Sequence, residues 1–259
     1  MKYIHRTIAI LGIVTCLGGI SPSVYGQSQP ILISQTQPQD LFKRGLDKFK
    51  RGDFPGAIDD YSEAIRLRPK YSQAYYERGR TLYYQGNKRQ AIEDWNQTLQ
   101  IDPKDASAYV SRGIARAELG DKEGATKDIN QAVQIKSEDS STYIAIGLAQ
   151  DYLGKRREAI EAFSQALRLK PNLMEAYHNR GTIYSGLGDY PKAMADFNEA
   201  LRINPNFADT YYNRGIALAK QRDKKGAIAD FQKAATLYQQ QGNQESYKAV
   251  QKLVQQLQR

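Results

Sequence analysis

The sequence predicts an all-α array of stacked helix pairs, and three observations carry that reading. Residues 38–241 repeat with a period of 34, so that Gly45, Gly79, Gly113, Gly147, Gly181 and Gly215 recur in register with Ala57, Ala91, Ala125, Ala159, Ala193 and Ala227. Large side chains return at two further offsets, Leu41, Tyr75, Tyr109, Tyr143, Tyr177 and Tyr211 at one, Tyr61, Trp95, Ile129, Phe163, Phe197 and Phe231 at the other. Helix breakers divide each unit in two. Gly52, Gly86, Gly120, Gly154 and Gly188 fall where a first helix must stop, the residue type favoured just past a helix end. Pro69, Pro103, Pro171 and Pro205 close the second helix, because proline cannot continue it.

The six units span 38–71, 72–105, 106–139, 140–173, 174–207 and 208–241. Counted within a unit, position 8 is always Gly and position 20 always Ala. Two backbones can approach closely there, and a larger residue would overpack the contact at about 1–3 kcal/mol. The large residues at positions 4 and 24 are expected to meet between the two helices.

Ahead of the array, Lys2, His5 and Arg6 precede a mostly apolar run from Thr7 to Ile20 and then SPSVYGQ. That order matches a signal peptide over 1–26, cut after Gly26 or, as an alternative, after Ser23. The run is short for a bilayer span of about 20 residues. Cys16 is the only cysteine; Ile13-Val14-Thr15-Cys16 can be read as a lipobox, although Thr15 fits that place poorly. Its plainer reading is a small apolar residue in the signal core. Residues 27–37, QSQPILISQTQ, carry no charge and no helical period and read as a flexible linker.

The formal charge is +9; without Lys2 and Arg6, and with no acid in 1–26, 35 bases face 28 acids, leaving +7. The cations are spread over every unit, so nucleic acid is not expected as a partner, and the excess allows only weak attraction to an acidic partner or a membrane surface. Arg44, Arg78, Arg112, Arg180 and Arg214 share position 7, and position 23 reads Asp60, Asp94, Asp128, Ala162, Asp196 and Asp230. The fourth unit lacks the aspartate and also the arginine, having Ile146 there. Their joint loss predicts an ion pair within each unit, of the kind that sets helix register more than it stabilises.

The joint between the third and fourth units departs from the pattern. Ser137 replaces the closing proline and Arg156 stands where Phe54 or Tyr190 packs, with Ser140 or Ser141 expected to cap the next helix. After the sixth unit, Tyr247, Val250, Leu253, Val254 and Leu257 fall at helical spacing in 242–259. This is expected to be a capping helix, covering the apolar side that a last repeat leaves open.

Catalytic constellations are nearly absent. Beyond the leader one histidine, His178, and no cysteine remain, which leaves no Cys–His dyad and no clustered His/Cys metal site. No GxSxG turn presents a serine. Neither enzymatic activity nor a metal or cofactor is expected.

A gapless sixfold period of this length, with glycine, aromatic and alanine at fixed offsets, resembles the tetratricopeptide repeat family. The run YxxRG…LGDxxxAxxDFxxAL is similar to members plentiful in photosynthetic bacteria, whose relatives assist assembly of membrane complexes. The resemblance implies a right-handed superhelical solenoid of helix-turn-helix repeats. It also implies a scaffold that takes a partner peptide or helix in a concave groove lined from positions 2, 5, 9, 12 and 13. Here those positions supply Phe42, Leu46, Phe49, Tyr76, Arg80, Tyr83, Tyr84, Val110, Ile114, Ile144, Leu148, Tyr152, His178, Tyr212 and Ile216. At about 100° per residue they point away from the pairing helix; their apolar, tyrosine-rich character suits a binding surface, the plainer reading being that neighbouring units bury part of it. The more polar fifth and sixth units, with Glu175, Thr182, Ser185 and Asp209, are expected to orient the ligand. The lysine–asparagine carboxylate clamp of one subclass is missing at positions 5 and 9. The expected protein is a monomeric interaction scaffold, exported to a periplasm or equivalent lumen. The alternative is an envelope-assembly lipoprotein anchored through Cys16, serving pilus, cell-wall or outer-membrane machinery.

Overall fold

The computed structural model describes residues 37–258; the leader 1–26, Cys16 and linker residues 27–36 lie outside the described residues. All regular structure among the described residues is helical. The chain falls into two compact units, divided between Leu119 and Gly120. The first holds α1 (Pro38–Lys50), α2 (Phe54–Leu67), α3 (Ser72–Tyr84), α4 (Lys88–Ile101) and α5 (Ala106–Glu118). The second holds α6 (Lys122–Ile135), α7 (Ser140–Tyr152), α8 (Arg156–Leu169), α9 (Met174–Gly186), α10 (Tyr190–Ile203), α11 (Ala208–Lys220), α12 (Lys224–Gln240) and α13 (Gln244–Gln258).

Within each unit consecutive helices pair, α1 with α2 and α3 with α4 in the first, α7 with α8, α9 with α10 and α11 with α12 in the second. The second helix of a pair then lies against the first helix of the next. The recurring small residues explain the pairing. Ala57, Ala91, Ala159, Ala193 and Ala227 are fully buried, as are Tyr61, Phe163 and Phe197. A Cβ added to Gly45 would stand 2.6 Å from Tyr61 Cε1, and one on Gly215 2.8 Å from Phe231 Cε1. The aromatic ring occupies the space that a side chain at position 8 would need.

Helix ends follow the breakers. Gly52 and Gly188 turn the chain with φ of 79° and 82°, while Arg222 takes the same left-handed place in the sixth repeat at φ 66°, a conformation that costs a non-glycine residue about 1–2 kcal/mol. Asp53, Asp121, Asp189 and Asp223 cap the second helices, each accepting a backbone N–H three residues on. Gln239 stands where four other repeats have the closing proline, and α12 runs on to 17 residues against 14 for α10.

At the joint between the third and fourth repeats, Lys136 ends α6 in the left-handed region at φ 52°. The cap of α7 is Asp139 rather than Ser140 or Ser141. Its carboxylate accepts from Ser141 N at 3.1 Å and Thr142 N at 3.2 Å, and a charged acceptor serves two orphan donors better than one hydroxyl does. α6 packs on α7 more thinly than the other second helices pack on their successors in this unit.

The last helix, α13, buries Val250 and Val254 against Phe231, Ala235, Leu237 and Tyr238, with Tyr247, Leu253 and Leu257 packed at the edge.

Candidate functional site

Four arginines at position 7 hold the helices in register. Arg78 Nε and Nη2 donate to Asp94 at 2.8 and 2.7 Å, and Arg180 does the same to Asp196 at 2.8 and 2.8 Å. Arg44–Asp60 and Arg214–Asp230 repeat the fork. The remaining nitrogen reaches back to the preceding repeat: Arg78 Nη1 donates to Ser62, Arg112 Nη1 to Asn96, Arg180 Nη1 to Ser164 and Arg214 Nη1 to Asn198. Each of these four guanidinium groups also lies over the tyrosine at position 4 of its own repeat, as Arg180 does over Tyr177 at 5.7 Å. In the fourth repeat the paired replacements Ile146 and Ala162 are buried. The pairs are within units, as their joint loss predicts. The link to the preceding repeat was not legible, because position 25 varies between Ser, Asn and Gln.

The proposed groove residues divide into three groups. Val110, Ile114, Ile144 and His178 are 2%, 4%, 1% and 4% exposed, so they are core. Phe42 and Tyr76 are half-buried towards the next repeat: Phe42 packs 5.2 Å from Tyr71, the residue that leads into α3, and the Tyr76 hydroxyl meets Ser111 Oγ at 3.4 Å. Burial pushes the Tyr76 hydroxyl up to about 12. Position 5 therefore seals one repeat against the next rather than lining open space. A first helix packs on its own partner and also on helices of the repeats before and after it, so more of its surface is covered than pairing alone requires. Leu46, Phe49, Arg80, Tyr83, Leu148, Tyr212 and Ile216 keep partial exposure. Tyr84 and Tyr152 are 40% and 55% exposed.

In the first unit the accessible members converge on a charged pair. Phe49 of α1 stacks 4.5 Å from the Arg80 guanidinium and 5.5 Å from Tyr84, while Tyr83 lies 6.0 Å from Trp95. Arg80 Nη2 stands 2.9 Å from Glu77 Oε2. The contact is close but badly aligned, since neither Glu77 Oε2 nor Arg80 Nε makes a hydrogen bond, and the Tyr61 hydroxyl beneath them makes none either. Burial raises the Glu77 carboxyl above its ordinary value against the opposing pull of Arg80. It also raises the Tyr61 hydroxyl, with the Glu77 charge adding to the effect. Beside them Arg80, Tyr83, Tyr84, Trp95, Ser111 and Ile114 line a notch of about 10 Å³, room for about one water molecule. Chemically the site holds one acceptor and one donor without hydrogen bonds, both buried behind aromatic side chains beside a notch of water size. Glu77 at position 6 was absent from the sequence-derived list. Its signal was present, as the lone acid among Lys43, Ser111, Ala145, Asn179 and Asn213, one turn ahead of Arg80.

The second unit's counterpart is better satisfied. His178 Nδ1 shares a 2.8 Å hydrogen bond with Thr210 Oγ1 and meets Phe207 edge-on, and Asn213 Nδ2 donates to Thr182 Oγ1. Asp209 accepts from the Tyr238 hydroxyl at 2.5 Å. The His178 and Asn213 bonds join the fifth repeat to the sixth, while the Tyr238–Asp209 bond lies within the sixth. Glu175 is half-buried, which raises its carboxyl. Among the described residues no three His, Cys, Asp or Glu side chains gather as a metal-holding group, and no helix is long and apolar enough to cross a membrane.

Comparison with known proteins agrees with the repeat geometry. The sequence model described as "TPR repeat" matches residues 45–86, 79–120, 152–188 and 181–221, and one described as "Tetratricopeptide repeat" matches 208–241. No curated protein matches the sequence. Among solved structures, the Pseudomonas aeruginosa pilF protein is similar over 83% of this chain and 96% of its own, with 18% identity and a TM-score of 0.67. YrrB, described as a TPR protein with an unusual peptide-binding site, is similar over 74% of this chain and 97% of its own, with 20% identity and a TM-score of 0.58. MamA is 28% identical over 62% of this chain and 94% of its own, with a TM-score of 0.52. With family matches across more than half of its length and helix pairs at the 34-residue period, the chain belongs to the tetratricopeptide repeat family.

Proposed function

We propose that the protein is an exported, non-catalytic scaffold that seats an extended segment of a partner protein on the α1–α3–α5 face. The observation that carries this reading is the Glu77–Arg80 pair with its unspent hydrogen-bonding atoms, set between Phe49, Tyr83 and Tyr84. Leaving buried polar atoms unpaired costs about 1–3 kcal/mol each, and a bound peptide unit recovers that cost at the moment of binding. The aromatic walls supply contact area at low entropic cost. The scaffold role is general to the family, and YrrB is a relative with a peptide-binding site.

Trp95 is the single tryptophan and borders the notch, so its fluorescence reports occupancy. Displayed random peptides selected on the full-length chain are expected to shift Trp95 emission on titration, with Tyr84→Ala weakening them. Peptides that bind without moving Trp95, or no enrichment at all, contradict the assignment.

A further inference from the structure

The fourth repeat lacks the arginine–aspartate pair, and a cleft of about 620 Å³ opens beside the replaced residues. It lies wholly on the second unit, between the C-terminal end of α6, the outer side of α7 and the length of α8. Tyr143 and Gln150 line it from α7, Ala162 and Glu161 from α8, and Lys136 from the end of α6. In the neighbouring repeats the corresponding space is crossed by the chain's own arginine. Arg180 lies over Tyr177 and reaches from Asp196 across to Ser164, and Arg214 lies over Tyr211 and reaches from Asp230 to Asn198. The fourth repeat keeps the tyrosine, Tyr143, but Ile146 and Ala162 in place of Arg and Asp leave nothing to span the gap. The left-handed turn at Lys136 and the thinly packed α6–α7 joint border the gap.

Two observations say what fits. The molecule itself places a guanidinium over the position-4 tyrosine in four of the five repeats that carry the arginine, so a guanidinium matches that ring face and the space beside it. Independently, Gln150 is 6% exposed and lines the cleft, and its Oε1 makes no hydrogen bond. An unpaired buried carbonyl asks for an N–H donor. Glu158 and Glu161 add carboxylates at the rim, while Lys136 and Arg168 add cations there, so net charge alone attracts nothing. Selectivity falls instead to the ring face and the amide oxygen, which favour a planar, multiply donating guanidinium over a compact ammonium.

We propose that this cleft takes an arginine side chain presented by a partner protein, which replaces in trans the arginine that the fourth repeat has lost. The site is separate from the peptide-binding face and stands or falls independently of it.

The test uses the full chain, isotopically labelled, titrated with N-acetyl-arginine amide, N-acetyl-lysine amide and N-acetyl-leucine amide. The arginine probe is expected to give saturable shifts at the Gln150 side-chain amide and the Tyr143 ring, with the lysine and leucine probes at least about tenfold weaker. Ile146→Arg combined with Ala162→Asp restores the internal pair and is expected to abolish those shifts. Should that variant fail to fold, Gln150→Leu, which removes the unpaired carbonyl, is expected to erase the preference for arginine. Equal binding of the three probes, absence of saturable shifts, or shifts that persist in a folded closing variant overturns the proposal.

Discussion

A chain ending at Gln241 is expected to lose about 5 kcal/mol of stability and to self-associate. The figure follows from α13: Val250 and Val254 are 1% and 6% exposed, with Tyr247, Leu253 and Leu257 packed at the edge of the same cluster. Fully burying one such aliphatic side chain contributes roughly 1.5–3 kcal/mol, and edge residues less. Removing the helix also uncovers Leu237 and Tyr238 on α12, now 4% and 6% exposed. Contacts in a repeat array run only between neighbours, so the damage should begin at α11 and α12 and spread inward. Urea unfolding and light scattering check this. An unchanged midpoint with a monomeric chain would show that α13 is an appendage rather than a cap.

The second large effect is non-additive. Arg180→Ile alone leaves Asp196, with its side chain 7% exposed, as an uncompensated charge, and Asp196→Ala alone strands the guanidinium. Each single change is expected to cost about 3 kcal/mol, because breaking a buried pair from one side is much worse than replacing both partners. The double variant reproduces the natural state of the fourth repeat, Ile146 with Ala162, and is expected to recover all but about 1 kcal/mol. Denaturation of the four proteins in a double-mutant cycle reads the coupling. Additive losses would mean that the fork contributes little beyond packing. In the first repeat the same logic sets a pH dependence. Arg44 and Lys48 hold the Asp60 carboxyl below its ordinary value of 3.8, so this pair's contribution is present above that pH and lost as the pH falls through the folded-state value.

What could be read from sequence was whatever the period repeats. Gly45 and Tyr61, or Gly215 and Phe231, answer one another because both belong to one helix pair, and the second, fourth and fifth repeats show the same solution. The ion pair was legible for the opposite reason, since one repeat drops both partners together. Contacts between successive repeats were harder to see. Ile144 and His178 look like an accessible stripe when one helix is considered alone, yet both are buried, and His178 bonds to Thr210 in the following repeat. Glu77 was hidden because it breaks the pattern rather than following it, and a search for recurring positions passes over the residue that gives one repeat its own chemistry.

The central claim is that Glu77 and Arg80 serve a ligand at the expense of the fold. The direct measurement is the affinity of one selected peptide for the native chain and for Glu77→Gln with Arg80→Met, with unfolding midpoints taken side by side. Replacing both members of a poorly aligned, largely buried pair should leave stability unchanged or raise it. The account predicts affinity lower by at least about tenfold, or 1.4 kcal/mol, with an equal or higher midpoint. Retained affinity, or affinity and midpoint falling together, would contradict it.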